Sequence, residues 1–172
     1  MDIITRINWV DILTAIIVVR ISYVALQDGL SHEIFPLIGV LLNAAISIRY
    51  YHDLALSIQG VMAFPIQTLD LISILILVVI IGIIFKLLKF LVDAIVKVEW
   101  HPFIEKLGGL IFGFARSLII VSIMLMIMLT TGLSYFQYSI KEKSFSGPYL
   151  MKVAPGVSDR LSWAMPAIML KK

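Results

Sequence analysis

The chain contains no cysteine. That absence excludes a disulfide framework, a thiolate nucleophile and any cysteine-ligated metal site. Charge is scarce too: Asp, Glu, Lys and Arg make up only 15% of the 172 residues. No polycationic arm is present and the lysines mostly flank apolar runs, so no nucleic-acid partner is expected. The residues Met1-Asp2-Ile3-Ile4-Thr5-Arg6 carry one basic side chain and lead to no small-x-small cleavage pattern. The first apolar run is therefore expected to act as an uncleaved insertion signal. Catalytic signatures are missing as well, with no G-x-S-x-G, H-E-x-x-H, P-loop or dinucleotide fingerprint. His32, His52 and His101 stand apart, without the i,i+4 pairing a helical metal site uses. No enzyme activity, metal or cofactor is expected.

What the chain has is apolar side chain. Hydrophobic types make up 60% of it, and the mean hydropathy is +1.02. A water-soluble chain of this length has too little interior to hide so much, and disorder is excluded by the same composition. The fold class is all-α: a polytopic helical membrane protein with about four spans plus amphipathic or interfacial helices.

The spans are placed at about 9–26, 33–50, 69–86 and 107–129, from runs near the length needed to cross hydrocarbon. The link from the first to the second is short, which predicts antiparallel neighbours. Arg49-Tyr50-Tyr51-His52-Asp53 reads as a basic and aromatic border to the second span, whose first turn then holds Pro36. Residues 54–69, divided by Gly60 and Pro65, read as an interfacial helix plus a turn or as a re-entrant half-span. Lys86, Lys89, Asp93 and Lys97 fall on one face of a continuation of the third span, an amphipathic extension leaving the membrane. The division drawn is a membrane domain over 1–133 and a membrane-associated tail over 134–172, with a short amphipathic helix within 157–170. Basic residues near the ends favour cytoplasmic termini, and the four lysines between spans three and four oppose that.

Charges inside the spans draw attention first. Asp11, Arg20, Glu33, Asp70 and Arg116 form the intramembrane polar set. Arg116 lies near the middle of its span, where a charge costs about 2.5–3.5 kcal/mol on insertion scales. Asp11, Glu33, Asp70 and Glu105 are its candidate partners. A fixed ion pair, a polar pathway or ligand site, and snorkelling to an interface all remain open for it. Small residues form a second set. Gly109, Gly113 and Ser117 make a stripe at four-residue spacing, and Gly108 lies on another face. Such a stripe lets helix backbones approach closely, within one chain or between copies.

Asn8-Trp9-Val10-Asp11 opens the first span, Gly29 and Glu33 follow it, and Leu37 and Gly39 lie in the second. Later comes Leu107-Gly108-Gly109-Leu110-Ile111-Phe112-Gly113-Phe114-Ala115-Arg116. These two patterns, in this order, resemble the CvpA family of colicin V production proteins over about residues 8–130. In that family an N-x-x-D opening leads into a span, and a glycine-rich signature ending in a basic residue opens a later one. Asn8 and Asp11 match the first; Gly108, Gly109, Gly113 and Arg116 match the second. Gln27 and Asp28 stand where the family typically has basic residues, Ala25 where glycine is frequent, and Ser117 follows the arginine. The resemblance implies a bacterial inner (cytoplasmic) membrane protein tied to colicin V production and envelope homeostasis. It adds Gly29 and Gly39 to the helix-packing set of Gly108, Gly109, Gly113 and Ser117. The expected function is an oligomeric conduit or a helper of export; the alternative is a structural scaffold without transport activity. Membrane lipid, a homo-oligomer and an envelope or export protein are the expected partners.

Overall fold

The computed structural model describes residues 8–60, 64–95 and 101–162, and their regular structure is helical throughout, with no strand among them. Four helices are long and apolar enough to cross a membrane: Trp9–Asp28, Leu30–Gln59, Ile66–Val92 and Pro102–Thr130. The all-α, four-span expectation holds. Arg6, Met62, Lys97 and the end of the expected tail helix lie outside the described residues.

Helix α1, Trp9–Asp28, starts with a reciprocal cap. The Asn8 side chain accepts from Trp9 N at 2.7 Å, while the Asp11 carboxylate accepts from Asn8 N at 3.0 Å. Gly29, at φ +85°, ends α1, and α2 (Leu30–Gln59) begins at the next residue. Helical hairpins use joints of about 2–5 residues. A single-residue joint therefore leaves α1 and α2 splayed, and α4 (Pro102–Thr130) fills the space between them. Ala25 meets Gly113 while Val10 packs with Val121 and Leu125, so α1 runs antiparallel to α4. Leu30 meets Gly108 while Ala44 packs with Ile119 and Ile123, so α2 runs parallel to it. The expected side-by-side pair is thus corrected: α1 and α2 are antiparallel, but packed mainly through α4.

Helix α3 (Ile66–Ile95) lies antiparallel to α2. Phe85 sits at Gly39, the Val78 carbonyl at Asn43 and Asp70 at His52. Its outward side chains, among them Val79, Ile83 and Leu87, are exposed and suit lipid contact. Of residues 54–69, those described join the two long helices, 54–59 as the last turns of α2 and 66–69 as the start of α3. Nothing from Arg49 to Gln59 is glycine or proline, so α2 runs through the charged border, and residues 66–69 are the first turn of α3. Because α2 starts at Leu30, Pro36 lies inside it rather than in its first turn, and the His32 carbonyl has no N–H four residues on.

Beyond α4 come α5 (Ser134–Tyr138), a π-helical turn over Ser139–Lys143, α6 (Gly147–Leu150) and α7 (Val153–Ser162). These close the end of the bundle at which α1 begins. Ile140 and Leu150 join Val10, Val121 and Leu125 in one buried cluster, and Ala154 joins Ala44, Ile119 and Ile123 in another. Contacts therefore cross the 133/134 division drawn from sequence. Trp9 stacks on Tyr135, with ring centroids 6.4 Å apart, beside Phe136, an aromatic group of the kind that marks a membrane–water boundary.

Candidate functional site

The small residues explain how α4 seats against the α1–α2 joint. A Cβ on Gly109 would overlap the Ala25 carbonyl, and one on Gly113 would overlap the Ala25 Cβ. A Cβ on Gly108 would press on Leu30 at 2.8 Å. Gly109, Gly113 and Ser117 are buried, and the Ser117 hydroxyl donates to the Phe114 carbonyl. The stripe is therefore taken up inside the chain. Gly29 is held by two constraints, its positive φ and the Glu105 side chain 2.6 Å from where a Cβ would stand. Glu105 in turn accepts from Ser31 N at 3.0 Å, an acid supplied by α4 at the positive end of α2. That role was missed in the sequence, where Glu105 reads only as a partner for Arg116.

The polar set separates into distinct places. Asp11 does not meet Arg116. Its Oδ1 accepts from the Ser144 hydroxyl at 2.7 Å, from Ser146 N at 2.9 Å and from the Ser146 hydroxyl. Its Oδ2 accepts from Asn8 N and, at 3.2 Å, from Phe145 N. The Asn8 amide also donates to the Ser139 carbonyl at 3.0 Å. Asn8 and Asp11 thus both cap α1 and fasten residues 139–146 to it. Nothing in the sequence singles out Ser144 or Ser146. Asp70 pairs with His52 at 2.9 Å, and Arg20 is exposed on α1.

Arg116 pairs with Glu33. Its Nη1 lies 2.9 Å from Glu33 Oε2, with side-chain exposures of 17% and 3%. Arg116 Nε is buried and has no hydrogen-bond partner. Beside the guanidinium a cavity of about 250 Å³ lies between α2 and α3. Phe35, Gly39 and Asn43 form its α2 wall, Gly82 and Phe85 its α3 wall, and Ile120 its floor on α4. Asn43 is fixed there by its amide, which donates to the Val78 carbonyl, and by its carbonyl, which accepts from the Ser47 hydroxyl. Lys86 and Lys89 also line it. In the sequence these two lysines read as part of an amphipathic exit from the membrane, and only the packing of α3 on α2 brings them to Arg116. Among the described residues no cluster of His, Cys, Asp or Glu is arranged to hold a metal ion.

Two matched motifs thus have different work: the N-x-x-D opening holds the C-terminal segment, and the arginine of the glycine-rich signature meets the glutamate after Gly29. The family described as colicin V production protein matches residues 10–155. The chain belongs to that family. The match reaches past α4 into α7, so it covers the segment that Asp11 holds. No curated protein and no solved structure matches the chain. This colicin V production family member is a multi-pass membrane protein whose four long helices carry one buried arginine–glutamate pair among the described residues.

Proposed function

We propose that this protein is an inner-membrane helper of export or envelope homeostasis and that it works at the Glu33–Arg116 pair and the cavity beside it. The observation that carries this reading is the incomplete use of Arg116. A buried arginine kept only to lock two helices gains most when all its donors are met. Here one Nη is paired, Nε has no acceptor, and the residue lines a cavity. The other intramembrane acids among the described residues are engaged elsewhere, Asp11 with the C-terminal segment and Asp70 with His52.

The test is complementation of a deletion strain with Arg116→Gln and Glu33→Gln, scoring envelope integrity and, where the cell makes it, colicin V release. The level of each variant in the membrane is followed in parallel. Variants that restore less function than their level in the membrane accounts for are the expected result. Full rescue by both overturns the reading, and loss of accumulation alone assigns the pair to the scaffold alternative.

A further inference from the structure

We propose that the cavity between α2 and α3 binds the phosphate headgroup of one anionic lipid, with an acyl chain running inward along its apolar wall. The inference rests on the same site as the proposed function and names its ligand. On α3 the cavity is lined at Gly82, Phe85, Lys86 and Lys89, positions i, i+3, i+4 and i+7 that make a single helical stripe. On α2 it is lined at Phe35, Gly39 and Asn43, again four residues apart. Two cationic positions thus lie at one end of the hollow, and these two walls are otherwise apolar or small except at Asn43.

Depth supports a lipid. The uncharged run from Leu71 to Phe85 ends at Lys86; as helix it is roughly 22 Å long. Lys86 and Lys89 therefore follow the end of the uncharged run, from where long basic side chains snorkel toward the headgroups and attract anionic lipid. Charge supports an anion. Lys86, Lys89 and Arg116 share the lining, and the acid at hand, Glu33, is already against Arg116. Among the described residues neither lysine forms an ion pair. A wider hollow of about 640 Å³ beside Asp11 presents an almost wholly apolar surface. Its carboxylate is already saturated with donors, so it offers an anion nothing.

Gly82 gives a test that leaves the cations in place. A Cβ there would meet only Asn43 Nδ2, at 3.7 Å, so a leucine fits the backbone and fills the cavity. The purified full chain is delipidated in mild detergent and titrated with phosphatidylglycerol, phosphatidylethanolamine or inorganic phosphate, and bound adducts are counted by native mass spectrometry. One phosphatidylglycerol is expected per chain, in preference to phosphatidylethanolamine. Lys86→Gln and Lys89→Gln should each weaken it about fivefold, the factor for one basic residue at a lipid surface, and Gly82→Leu should weaken retention of the lipid with all three cations present. Equal retention of both lipids, retention unchanged in all three variants, or binding of inorganic phosphate without lipid preference overturns the proposal. Failure here with Arg116→Gln still inactive in cells leaves the proposed function standing without this ligand.

Discussion

The Ala25 Cβ occupies the space that any side chain at Gly113 would need. Ala25 is fully buried, and the contact recurs one turn away, where Gly109 abuts the Ala25 carbonyl. Close approach of backbones is the main source of helix association in lipid, where apolar burial drives little. Gly113→Leu is expected to destabilise the fold by about 1–3 kcal/mol, the range for overpacking a filled interior. Thermal unfolding of the purified protein, followed by size-exclusion recovery, checks this. A melting temperature equal to the parent's would place Gly113 outside the α1–α4 contact.

The Glu33–Arg116 pair predicts a coupling. Removing one partner strands the other charge, and breaking a buried pair costs about 3–5 kcal/mol. Glu33→Gln and Arg116→Gln should each lower the melting temperature more than the double variant does. Additive losses across this cycle would show that the two side chains do not act as a pair.

How much of this could be read from the residues differs from place to place. The long apolar runs announce four spans because hydrocarbon demands length and low charge, and both are visible in one dimension. Glu33 could be picked out as one of four acids for Arg116, yet choosing it needed the splay that a one-residue joint at Gly29 imposes. The end of α2 was not legible because Arg49 to Asp53 reads as a membrane border, and a stretch without glycine or proline can carry a helix on past such a border, here to Gln59. The partners of Asp11 were out of reach for another reason. Ser144 and Ser146 lie 133 and 135 residues away, and short hydroxyl residues in a loop carry no periodic signal.

Asp11 supplies a third expectation. Asparagine in its place keeps one acceptor oxygen and turns an N–H₂ group toward the donors of Ser146 or of Asn8 and Phe145. Asp11→Asn should therefore loosen the hold on residues 139–150 and weaken the cap of α1, a capping loss of about 1 kcal/mol. Limited proteolysis or amide hydrogen exchange across Ser139 to Leu150 reads the release directly. Protection unchanged from the parent would mean that the segment is held by its apolar contacts at Ile140 and Leu150 alone.

Two glycines make opposite predictions under the same substitution. Gly29 holds φ +85° and ψ 174°, a region that side-chain-bearing residues enter only at a cost of about 1–3 kcal/mol. Its added Cβ would also press on Glu105, 2.6 Å away, and so disturb the acceptor for Ser31 N at the start of α2. Gly156 lies inside α7, where a Cβ meets nothing within 4 Å. Gly156→Ala should leave stability unchanged or raise it by about 0.5–1 kcal/mol, since glycine weakens a helix interior. Gly29→Ala should lower the melting temperature and, by shifting α2 against α4, weaken the Glu33–Arg116 contact. If both alanine variants melted together, the joint would not depend on the backbone freedom that only glycine has at residue 29.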